Sequence, residues 1–121
     1  MIASNGSVGI GSVNTGSFKP AVDGMVGARE FKVTLNNPWP DYVFESYYPL
    51  MSLENLNEFI SKNKHLPGLP SAKEIEENNG YGLGEMQIKI LEKIEELTLY
   101  ILQLKAENKE LKQKIELITK K

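Results

Sequence analysis

The sequence predicts an α+β chain of fibrous type, with glycine-rich intertwined β-strands, a small helical and aromatic collar and a C-terminal parallel coiled coil, a trimer being favoured. Three observations predict it. Met1 to Phe18 carries no charged side chain and is built from Gly, Ser, Asn, Thr and aliphatics. Aromatic residues and prolines concentrate between Pro38 and Pro49. From Leu83 onward apolar residues recur at alternating spacings of four and three, with Lys and Glu between them.

A length of 121 residues leaves room for one ordinary domain. Charge is spread so unevenly that three regions are expected instead: 1–35 as the end of a glycine-rich β shaft, 36–82 as the collar and 83–121 as the coiled coil. The net charge of -2 supplies no basic field for nucleic acid or an anionic membrane, and neither partner is expected. The absence of cysteine removes disulfides and thiolate zinc sites. No apolar run approaches the roughly 20 residues that span a bilayer. "MIASNGSVGIG" has neither the basic segment nor the continuous apolar stretch of a secretory signal, so the start is expected to be a cut through a longer chain.

In "SVGIGSV", Val8 and Ile10 alternate with glycine, which predicts a short strand with one bare face where another backbone can approach. A turn is expected at Asp23-Gly24. Then Phe31, Val33 and Leu35 alternate with Glu30, Lys32 and Thr34, the best strand pattern in the chain. Pro38, Pro40 and Pro49 argue against a helix, and Tyr42 to Phe44 reads as a short extended segment. Ser52 caps an expected helix, "LENLNEFISKN", whose Leu53, Leu56, Phe59 and Ile60 share a face. After the break "HLPGLP", Ser71 and Glu74 form a capping box that opens a second short helix, "AKEIEEN".

The last segment is the most regular. Gln87, Ile94, Ile101, Asn108 and Ile115 take the a positions of a heptad, and Leu83, Ile90, Leu97, Leu104, Leu111 and Ile118 take d. Each apolar seam residue left in water forfeits roughly 1.5–3 kcal/mol of burial. Summed over the seam this exceeds the ~5–15 kcal/mol stability of a typical domain, so self-association is expected. Met86, Leu91, Leu99, Tyr100 and Leu102 widen the apolar surface of the first half, where the capped helices and the aromatic segment are expected to pack. Asn108 breaks the ridge with an amide, which finds its own copy only when parallel strands are aligned. Glu107 and Lys112, at g and the following e, can pair in the same register. Ile at a with Leu at d favours two strands, whereas Ile90 and Ile118 at d push toward three. The glycine-rich strands, too poor in large apolar residues for a private core, argue for a shared three-fold axis.

"SVGIGSVNTGSFKPAVDGMVGAREFKV", "WPDYVFE", "HLPGLPSAKE" and "LGEMQIKILEKIEELTLY" together resemble the C-terminal module of tail-fibre and adhesin-like proteins from Bacteroidota bacteria and their phages. The likeness covers nearly the whole chain. It implies a trimer at the end of a fibrous shaft, located in a virion tail fibre or at a bacterial surface. More remotely, the layout is similar to the endosialidase-type intramolecular chaperone, which trimerises fibres and in many members cleaves itself off. The serine, aspartate and lysine stretch of the cleaving members does not occur here. Pro20 stands where an aliphatic residue is commoner in the family and is expected to break a strand locally.

No catalytic, metal or cofactor constellation emerges. His65 is the sole histidine and has no second ligand beside it. Glu74, Glu76 and Glu77 sit where they cap a helix and oppose its dipole. Gly9, Gly11 and Gly16 lack the lysine and the strand-to-helix context of a phosphate loop. Trp39, Tyr42, Tyr47 and Tyr48 form the one candidate ligand face, since such rings stack on sugars while their polar tips stay wet; packing in the collar is the alternative. The expected function is an assembly module, with a receptor- or glycan-binding tip and an autoproteolytic chaperone as alternatives.

Overall fold

The computed structural model describes residues 1–34 and 37–120. It is mostly helical, with a long C-terminal helix and a small two-stranded sheet. The chain divides into two compact units, Met1–Val33 and Thr34–Lys121.

In the first unit, β1 (Val8–Ile10) pairs in parallel with β2 (Pro20–Val22), with Val8 opposite Pro20 and Ile10 opposite Val22. Ile2 bridges Val8 in the antiparallel sense, and Met1 exchanges backbone bonds with Gly9. The expected strand at Val8 and Ile10 is present. Pro20, expected to break a strand, instead begins one: it is the first residue of β2, a position that tolerates a missing N–H. The flanking contacts use Lys19, whose carbonyl accepts from Val8, and Asp23, whose amide donates to Ile10.

The bare face of β1 has a specific use. A Cβ on Gly9 would collide with the Ser12 carbonyl oxygen, so the chain folds back through space that only glycine leaves open. Gly11 holds φ at +74°, in the left-handed region. The buried residues of this unit are Ser7, Gly9 and Thr15, while Ile2, Ile10, Val13 and Phe18 are exposed.

The strand expected from Phe31 to Leu35 does not form among its described residues. Glu30 to Thr34 is irregular and exposed, and Leu35 lies outside the described residues. Alternation supplies a strand face but not a partner, and among the described residues no strand pairs with Glu30 to Thr34 to satisfy its backbone groups.

The second unit is built on helices. Pro40–Phe44 is a 3-10 helix with Pro40 at its first position, which corrects the extended reading of Tyr42 to Phe44. Proline excludes a helix interior but suits a helix start, where its missing N–H costs nothing. Helix α1 (Leu53–Asn63) begins as expected: the Ser52 hydroxyl accepts from the Asn55 amide at 3.1 Å. It ends at Lys64, which adopts a left-handed conformation and returns its N–H to Ile60. Helix α2 (Ala72–Glu77) carries the full Ser71–Glu74 capping box.

Helix α3 (Leu83–Thr119) runs unbroken for 37 residues, about 55 Å at 1.5 Å per residue. The 3-10 helix packs on its first half, and Val43, Pro40, Ile88 and Tyr100 are buried in this unit. Only part of the expected packing is realised. Met86, Leu91 and Leu99 are half-buried and Tyr100 is buried, but Leu102 is exposed, and α1 and α2 contain no fully buried residue. Beyond Tyr100 every described residue of α3 is exposed.

The Gly9 contact generates a prediction. Gly9→Ala should remove hydrogen-exchange protection from the Val8 and Asp23 amides, which hold β1 to β2, and leave α3 amides unchanged. Retained protection at Val8 would show that the close approach to Ser12 is not needed.

Candidate functional site

Going around α3 the heptad positions follow the order a, e, b, f, c, g, d. Ile88 and Glu95 are at b, Glu92 and Leu99 at f, Glu96 at c, and Lys93 and Tyr100 at g. Together with Gly84 and Leu91 at e and Met86 at g, which are half-buried, these are the residues the chain covers in the first half of the helix. The a and d residues face away. From Leu83 to Ile118 every apolar member of the seam is solvent-exposed, from 47% at Ile90 to 72% at Ile118. Gln87 and Asn108 are exposed in the same stripe. The structure thus brings all eleven expected seam residues, Leu83, Gln87, Ile90, Ile94, Leu97, Ile101, Leu104, Asn108, Leu111, Ile115 and Ile118, onto one open face.

The covered face is held by tyrosines. Tyr42 donates its hydroxyl to Glu92, Tyr48 donates to Glu96 at 2.6 Å, and Tyr100 donates to the Met51 carbonyl at 2.6 Å. The rings of Tyr42 and Tyr48 meet edge to face, with centroids 5.9 Å apart. Lys93 bonds Glu96 at 2.8 Å and lies 3.8 Å from Glu92. The hydrogen bond to Glu92, and then burial, push the Tyr42 phenol up to about 12. Burial, followed by the bond to Glu96, raises Tyr48 further, and burial raises Tyr100. All three stay neutral donors throughout the ordinary pH range.

This arrangement separates the expected ligand face. Trp39 and Tyr47 are exposed, at 58% and 74%, whereas Tyr42 and Tyr48 are half-buried with their hydroxyls committed to helix carboxylates. Two of the four rings therefore brace α3, and two face solvent. His65 sits edge-on against Phe59, and its Nδ1 lies 2.9 Å from the Leu66 carbonyl oxygen. Among the described residues no group of carboxylates and histidine is arranged to hold a metal, and no helix is long and apolar enough to cross a membrane.

Sequence reasoning missed Glu95. It is 7% exposed, one carboxyl oxygen has no hydrogen-bond partner, and it faces Asp41 of the 3-10 helix. Burial, then the nearby Asp41 and Glu92 carboxylates, raises its pKa above the ordinary 4.5. A Glu in "LEKIEEL" reads as solvated charge. The available signal was the grouping of Glu92, Glu95 and Glu96 on the back of the helix, opposite the apolar ridge.

No family model matches the chain, and no curated protein or solved structure matches it.

Glu95 generates a pH prediction. The folded state holds its proton more tightly than the unfolded state, so its contribution is full below pH 4.5 and is lost as pH rises through the folded value. Glu95→Gln, which keeps the neutral shape, should therefore match the native melting temperature near pH 4 and exceed it by a few degrees near pH 8. An equal offset at both pH values in thermal melts would refute the assignment.

Proposed function

We propose that this chain is a self-association and registration module, in which parallel copies, three in number, join along the α3 seam and bring their glycine-rich strands into alignment. One observation carries this reading: the seam stays open along the whole of α3 while the opposite face is occupied by the chain's own collar. A helix packed by its own chain on b, f and parts of c, e and g keeps a and d, and e from Thr98 onward, for another copy. At roughly 1.5–3 kcal/mol per covered Leu or Ile, closing that stripe outweighs every other apolar contact available to the chain.

The number three rests on two supports. Ile90 and Ile118 at d relax the preference for two strands. The Met1–Val33 unit buries Ser7, Gly9 and Thr15 rather than its exposed Ile2, Ile10 and Phe18, so it gains apolar cover by sharing. Helical association is local and fast, which suits it to aligning slow β structure. The motif likeness supplies the setting, a tail fibre or surface adhesin of a bacterium or its phage. A second reading, a receptor- or glycan-binding tip, is supported by the exposed Trp39 and Tyr47; copies held together would give it avidity.

Deleting Lys105 to Lys121 should leave monomers or aggregates by light scattering, and a truncated chain that keeps the native oligomer mass would refute the proposal. Asn108→Ile should raise the melting temperature yet broaden the distribution of oligomer masses in native mass spectrometry; a single unchanged mass would show that the amide does not select register. On the second reading, Trp39→Ala abolishes binding on a glycan array at unchanged oligomer mass, and a glycan array on which the native oligomer binds nothing excludes it.

A further inference from the structure

A groove of about 300 Å³ runs beside the seam. Met51, Leu56 and Leu66 form one wall, and Lys93, Leu97 and Tyr100 of α3 form the other. It lies on the c, g and d side of the helix, and Leu97 belongs both to the groove and to the open ridge. The collar wall is itself only half covered: α1, which supplies Leu56, buries none of its residues.

We propose that this groove seats the α3 helix of a second copy, which lays its Ile94, Thr98 and Ile101 edge against it, so that each collar grips the next chain. The inference rests on the parallel self-association proposed above and adds which surface meets which. In a parallel left-handed coil the g flank of one helix faces the e flank of its neighbour, five residues further along the sequence. Lys93 therefore faces the second copy's Thr98, directly over the groove, and Tyr100 faces its Lys105. Charge complements this placement. Glu92 and Glu96 line the groove with Lys93, the one cation among its described lining residues, and the second copy's Lys105 brings a further positive charge to the Glu96 end. Antiparallel copies would set g against g, leaving the apolar wall at Leu56 and Leu66 without the Ile94 and Ile101 edge.

The chain contains no cysteine, so introduced thiols are unique. Leu66→Cys and Thr98→Cys, both at exposed positions, are prepared separately in the full chain, and circular dichroism checks the helix content of each. They are then co-refolded and treated with a short bis-maleimide; Ile101→Cys, on the seam, serves as the control for self-association. The expected result is several-fold more covalent dimer in the mixture than in either variant alone, with Ile101→Cys linking to itself. If Ile101→Cys links but the mixture shows no increase, the groove is not filled by a neighbour and this inference falls while self-association stands. If Leu66→Cys links to itself instead, collars meet collars and the inference falls likewise. If Ile101→Cys yields no covalent dimer, parallel self-association fails, and the seating of the second copy fails with it.

Discussion

The structure depends on a division of labour around one helix. In its first half α3 is packed by its own chain on b and f and left open on a and d, and past Tyr100 it is open on every side. A helix of 37 residues owes most of its stability to packing an amphipathic face rather than to intrinsic propensity. Here the intramolecular packing ends halfway along, while the apolar repeat continues to Ile118. The second half therefore lacks, within one molecule, the contact that would hold it.

The collar is joined to the helix by tyrosine hydroxyls, two from the collar and, in the reverse direction, that of Tyr100, which donates to the Met51 carbonyl. Neutral tyrosine hydroxyls from the aromatic segment donate to acidic side chains on the back of α3, with Lys93 balancing Glu96 and Glu92. Net gains from such bonds are about 0.5–1.5 kcal/mol each, and somewhat more where the acceptor is charged, so they orient the collar more than they drive its docking. Docking itself comes from the small apolar cluster of Val43, Pro40 and Ile88. Buried among these, Glu95 with its unpartnered oxygen is a cost that the folded state reduces by holding a proton. The result is a joint in which a small apolar cluster is oriented by specific polar contacts.

Much of this was legible in the residues. Ser52 and the Ser71–Glu74 box fixed the starts of α1 and α2, because a capping side chain satisfies backbone donors locally and needs no distant partner. The heptad located α3 and its open face for the same reason. The failures came where the outcome depended on a partner or on the position of a proline. Phe31 and Val33 alternate correctly, yet found no strand to pair with. Pro40 and Pro20 were read as breakers but each opens an element. Glu95 was hidden because heptad position gives exposure only after it is known which segment covers the back of the helix, and the 3-10 helix at Pro40–Phe44 was not foreseen.

The most direct measurement is the mass of the intact chain in solution, by sedimentation across a wide dilution series with helix content followed in parallel. Burial of the α3 ridge between copies predicts an assembly of three chains, with helicity falling as it dissociates. A dilute single chain that keeps its full helix content would contradict it.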